Sequence, residues 1–123
     1  MGGGGGKALG GKYGTISQKK LGQLEDMGAN RWTKGEHDRL YLGNAIPKMI
    51  GLEVRRYNSG NISSATLEGE SISNSRARGI LSAFDSAYID LKDGGIRNLS
   101  ETKYYSKDKL VNILNKYRVP AKK

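Results

Sequence analysis

One stretch, LEVRRYNSGNISSATL (Leu52 to Leu67), constrains the fold of this chain more than any other. Leu52 and Val54 alternate with Glu53, Arg55 and Tyr57, the period of two with which a strand turns one face to a core and the other to water. Asn58-Ser59-Gly60-Asn61 then supplies turn chemistry, with Gly60 able to take positive φ, and Ile62 to Leu67 returns as the partner strand. Connections of hairpin length join antiparallel neighbours, because parallel strands need a long crossover.

The same punctuation recurs along the chain. In RWTKGEHDRLYL, alternating ends flank Lys34-Gly35-Glu36, which predicts a hairpin with strands near 30–33 and 38–42. Ala87, Ile89 and Leu91 face one way and Tyr88 and Asp90 the other, and Asp93-Gly94 turns the chain into a short strand near Ile96. Three serines mark helix starts. Ser17 precedes Leu21 and Leu24, with Gly28 as the stop; Ser73 precedes a helix over about 74–85, with Ala77, Ile80, Leu81 and Phe84 on one stripe despite Gly79; Ser106 precedes Leu110, Ile113, Leu114 and Tyr117, with Pro120 preventing continuation. NAIPKMIG is too short to predict a helix and is broken by Pro47. There is no βα rhythm and no internal repeat. The expectation is an α+β fold: a mostly antiparallel sheet of about four to six strands built from hairpins, covered by two to three helices.

With 123 residues the chain is expected to hold one domain, over 15–119, between a glycine-rich basic arm at 1–14 and a basic tail at 120–123. There is no cysteine, which removes disulfides and thiolate metal sites and fits a reducing, cytoplasmic interior. No apolar run approaches the ~18 residues of a membrane span, and no secretory h-region follows Met1, so no membrane association is expected. The formal net charge is +9, and it is unevenly placed. Residues 1–20 carry Lys7, Lys12, Lys19 and Lys20 without an acid, and residues 116–123 carry Lys116, Arg118, Lys122 and Lys123 without one. The middle is nearly neutral. Basic ends attract polyanions without needing a shaped site, although they also serve solubility.

Eight of the first fourteen residues are glycine. GKALGGK (Gly6 to Lys12) satisfies the spacing of a phosphate-binding loop, but Tyr13 stands where a magnesium-holding hydroxyl is needed and no hydrophobic strand precedes it. The dinucleotide fingerprint G-x-G-x-x-G does not occur in the run, and Gly6 stands where N-myristoylation wants Ser or Thr. A disordered arm is expected instead, since glycine loses the most entropy on ordering and few side chains here offset that loss. A run of five glycines after Met also has the look of an engineered leader.

His37 is the only histidine, set between Glu36 and Asp38. Adjacent residues in a turn point apart and no second histidine completes a ligand set, so a solvated turn is expected, with no metal and no cofactor. No paired-acid spacing or nucleophile elbow stands out, and a non-enzymatic role follows as the expectation. The predicted outer sheet face says more. Arg39 and Tyr41 on one strand, and Arg55 and Tyr57 on another, point away from the core, and Tyr88 adds a third aromatic. Such planes stack on unpaired bases while guanidinium reaches phosphate, although cross-strand Arg–Tyr packing alone also accounts for the pattern. Arg76 and Arg78 near a helix start could meet a phosphate or simply form a wet helix face. Together these features predict a small accessory protein binding DNA, RNA or a nucleoprotein. A protein-binding adaptor or inhibitor, with Trp32, Tyr104 and Tyr105 in its interface, and an assembly protein with a flexible arm are the competing expectations.

Overall fold

A computed structural model of the chain describes residues 13–120. Nine strands and four helices follow one another as β1 (Tyr13–Ile16), α1 (Gln18–Asp26), β2 (Asn30–Lys34), β3 (His37–Tyr41), α2 (Ile46–Ile50), β4 (Leu52–Arg56), β5 (Ile62–Leu67), β6 (Glu70–Ile72), α3 (Asn74–Phe84), β7 (Tyr88–Asp90), β8 (Ile96–Arg97), α4 (Lys107–Leu114) and, after a 3-10 turn at Asn115–Tyr117, β9 (Arg118–Pro120). The fold is α+β and every strand pairing is antiparallel.

The strands sort into three sheets: β2-β3-β7-β8, β4-β5-β6 and β1-β9. The two hairpins read from local pattern both form, yet they belong to different sheets. Their division is a matter of distant pairing: β3 takes β7 as its second neighbour, with Tyr41 opposite Tyr88 and Arg39 opposite Asp90. A third strand, β6, turns back from β5 through Glu68 and Gly69, both at positive φ.

All three serine caps are in place. The Ser17, Ser73 and Ser106 side chains accept from the backbone N–H of Lys20, Arg76 and Lys109, satisfying donors that the first helical turn leaves open. Pro47 does not break a helix; it lies in the first turn of α2, where its missing N–H costs nothing. The Asn74 side-chain amide donates to the Ile62 carbonyl at 3.2 Å and ties the start of α3 to β5.

One hydrophobic core joins these parts. Leu24 of α1, Leu40 of β3, Ile46 of α2, Ile80 and Phe84 of α3, Ile89 of β7, Ile96 of β8, and Leu110 and Leu114 of α4 are all fully buried within it. The four-stranded sheet contributes Leu40, Ile89 and Ile96 from a single face, which fixes its opposite face as the outer one. Gly79, unfavourable inside a helix on propensity alone, is required by packing: a Cβ there would fall within the ring of Tyr104.

The arm expected at 1–14 lies outside the described residues except for Tyr13 and Gly14, which are strand. Tyr13 pairs with Pro120 in β1–β9, so the chain enters and leaves the described fold at neighbouring points. Among the described residues, no helix is long and apolar enough to cross a membrane.

Candidate nucleic-acid interface

Strand alternation builds the outer face of the four-stranded sheet. Leu40 faces the core, so His37, Arg39 and Tyr41 face out along β3. Directly opposed residues share a face, which adds Trp32 (opposite Arg39) and Lys34 (opposite His37) from β2, Tyr88 and Asp90 from β7, and Arg97 from β8.

These side chains form a continuous aromatic–cation cluster. Trp32 stacks on His37 with ring centroids 6.2 Å apart and meets Tyr41 edge-on at 6.4 Å, and Tyr41 tilts against Tyr88 at 5.3 Å. The Arg39 guanidinium sits at the centre, 5.4 Å from the Trp32 ring and 4.5 Å from the Tyr88 ring, and donates to the Tyr41 hydroxyl at 2.9 Å. That hydrogen bond raises the Arg39 pKa above its ordinary value. No carboxylate among the described residues comes within ion-pair distance of Arg39. Arg97, further along the face, is already held by Asp90 at 3.4 Å and Asp93 at 2.9 Å.

Exposure grades across this face. Trp32 is 39% exposed on the edge strand β2, every residue of which is exposed; Arg39 and Tyr41 are half-buried; Tyr88 is buried beneath them. Tyr88 therefore shares the expected face but serves as its floor. His37 is not in a turn: it opens β3, exposed and stacked on Trp32. Trp32 and His37 become legible as members of this face once the register of the β2–β3 hairpin is fixed by its two-residue connection at Gly35-Glu36.

The other predicted contacts are not gathered here. Arg55 and Tyr57 belong to the β4–β5 hairpin, where a bulge between Arg55 and Arg56 breaks the alternation and Tyr57, 62% exposed, enters the turn. Arg76 and Arg78 lie on α3; Arg76 is half-buried with its Nε donating to the Tyr104 carbonyl at 3.1 Å, while Arg78 is exposed with only a 3.4 Å bond to Ser75 Oγ. Lys19 is exposed on α1, and Lys20 packs its ammonium 5.7 Å from the Tyr117 ring centroid. Lys7, Lys12, Lys122 and Lys123 lie outside the described residues. Trp32, Tyr104 and Tyr105 do not compose one exposed patch, because Tyr105 is buried against Phe84 and Tyr104 packs on Gly79.

Comparison with protein-family models, with curated proteins and with solved structures gave no match for this chain.

Proposed function

We propose that this protein is a small non-enzymatic module that binds single-stranded nucleic acid on the outer face of the β2-β3-β7-β8 sheet and works in the cytoplasm. The observation that carries this reading is Arg39, flanked by Trp32 and Tyr88 with no carboxylate within ion-pair distance among the described residues, beside the exposed Trp32–His37 stack. Exposed rings offer a π-face to any unpaired base, and a guanidinium held between rings projects donors towards the phosphate that follows. Duplex DNA keeps its base faces stacked, so a flat aromatic platform favours single strands.

Sequence-independent attraction comes from the lysines. Because Tyr13 pairs with Pro120, the segments bearing Lys7 and Lys12 and those bearing Lys122 and Lys123 attach to the fold at adjacent points.

Trp32 is the only tryptophan, so its fluorescence reports on this face alone. Titration with single-stranded oligonucleotides is expected to quench it, with a log–log salt slope of about −4 if roughly six phosphates are neutralised. Binding that leaves Trp32 fluorescence unchanged, or that is indifferent to salt, contradicts the proposal.

A further inference from the structure

A second site lies away from the sheet face and shares no residue with it. A cleft of about 510 Å³ opens between the β5–β6 turn, the first turn of α3 and the segment that leads into α4. That volume falls within the range of small-molecule sites. Three cations line it, Arg76, Lys103 and Lys109, against two carboxylates, Glu68 and Glu70.

The cations are not equivalent. Lys109 is drawn to Glu68 at 3.8 Å. Arg76 and Lys103 have no carboxylate within ion-pair distance among the described residues, and both are organised around Tyr104. The Arg76 Nε is fixed by the Tyr104 carbonyl, leaving the two terminal nitrogens of its fork uncommitted, and the Lys103 ammonium lies 5.3 Å from the Tyr104 ring centroid. Tyr104 is itself set in place by the absence of a side chain at Gly79. A half-buried guanidinium with one edge anchored and the other open is preorganised for an oxyanion, which it can take with two parallel hydrogen bonds.

Two further residues of the lining carry a polar group with no hydrogen-bond or ion-pair partner among the described residues. Tyr105, only 5% exposed, has no hydrogen-bond partner for its hydroxyl. Buried polar groups seldom stay unsatisfied without a reason. Glu70 has no cation within ion-pair distance among the described residues and offers an acceptor to a ligand hydroxyl or amino group.

We infer that this cleft binds a phosphomonoester, its phosphate seated between Arg76 and Lys103 and its hydroxyl or amino groups turned to Glu70. Two sources carry that chemistry, a free nucleoside monophosphate and the 5′-phosphorylated end of a strand. The inference stands on the cleft alone and does not require the sheet-face proposal.

The test uses the full chain, isotope-labelled, with backbone amide NMR spectra followed during titration. The probes are a nucleoside monophosphate, the nucleoside without phosphate, and one oligonucleotide with a 5′-phosphate or a 5′-hydroxyl. The monophosphate is expected to shift the amides of Lys103, Tyr104, Tyr105 and Ser106, with affinity falling about tenfold in Lys103→Gln and in Arg76→Gln, the loss of one charge-assisted contact. Lys103→Gln is the decisive variant, since it leaves the Arg76–Tyr104 hydrogen bond in place. Tighter binding of the 5′-phosphorylated strand at these amides than of its 5′-hydroxyl form assigns the site to strand ends; saturation by the monophosphate without that preference assigns it to the free nucleotide. The inference is overturned if no phosphate-bearing probe shifts these amides, if the nucleoside shifts them equally well, or if Lys103→Gln binds as tightly as the parent.

Discussion

Two hairpins of this protein carry the same local phrase, an arginine and a tyrosine two residues apart, and the fold gives them different fates. On β3, Arg39 and Tyr41 are hydrogen-bonded to each other and packed among Trp32, His37 and Tyr88. On the β4–β5 hairpin, Arg55 faces Ser64 and Tyr57 stands in the turn. The difference lies in the neighbours. β3 is an inner strand with partners on both sides, whereas β4 is, among the described residues, an edge strand whose one partner presents small hydroxyl side chains at Ser64 and Thr66. A pattern along one strand sets which way a side chain points; the strands beside it decide whether a surface results.

The largest expected contrast between these regions is in stability. Leu40 is fully buried at the centre of β3, directly behind the Arg39 face, and Leu40→Ala is expected to cost about 2–5 kcal/mol in urea unfolding. Val54, the corresponding apolar residue of β4, is half-buried, and Val54→Ala is expected to cost about 1 kcal/mol. Equal losses would mean that the inner strand is no better supported than the edge, and that its outer face has no privileged rigidity.

Binding sharpens the comparison next. Trp32→Ala and Arg39→Ala are each expected to weaken single-strand binding by about 1–3 kcal/mol, the range for removing a base-stacking group. Tyr57→Ala and Arg55→Ala should change it by no more than about 0.5 kcal/mol, as substitutions away from a site usually do. Fluorescence anisotropy of a labelled strand measures all four, since it does not depend on Trp32. A loss at Tyr57 matching that at Trp32 would move the interface to the other sheet.

These contrasts also show which parts of the molecule could be read from sequence. The helix caps were legible because an N-cap serine bonds a backbone N–H only three residues on, as Ser17, Ser73 and Ser106 do. The hairpins were legible for the same reason: turn chemistry and alternation lie within a few residues of each other. What escaped is what distance decides. No local signal pairs Tyr13 with Pro120, places Tyr104 on Gly79, or lays Arg39 over Tyr88 so that an outward-facing ring becomes a buried one. Pro47 departs from its sequence expectation for a subtler reason: a proline that ends one helix can equally begin another, and only the helix that follows tells which. The candidate face was thus half legible: Arg39 and Tyr41 from alternation, Trp32 and His37 only from register.

Acid offers the finest separation of the two hairpins. β2 and β3 are clasped by a two-pronged pair in which Arg31 Nε and Nη2 donate to Asp38 Oδ1 and Oδ2 at 2.9 and 2.8 Å. The β4–β5 hairpin has no carboxylate in its clasp, since Arg56 Nη1 donates to the Gly60 carbonyl at 2.8 Å. The hydrogen bonds from Arg31 hold the Asp38 pKa below its ordinary 3.8, and those from Arg97 do the same for Asp93 in the turn between β7 and β8. A carboxyl whose folded pKa is depressed contributes stability that is fully present above the unfolded value and is lost as pH falls through the folded one. The loss therefore belongs below about pH 4, and it is small because the pairs are solvent-exposed. Amide hydrogen exchange of β2–β3 is expected to accelerate, relative to β4–β5, as pH is lowered through that window, and Asp38→Asn should remove much of the difference. If both hairpins loosen in step, the clasp contributes nothing specific, and the order of the Trp32–Arg39 face must come from its stacking and from the core behind it.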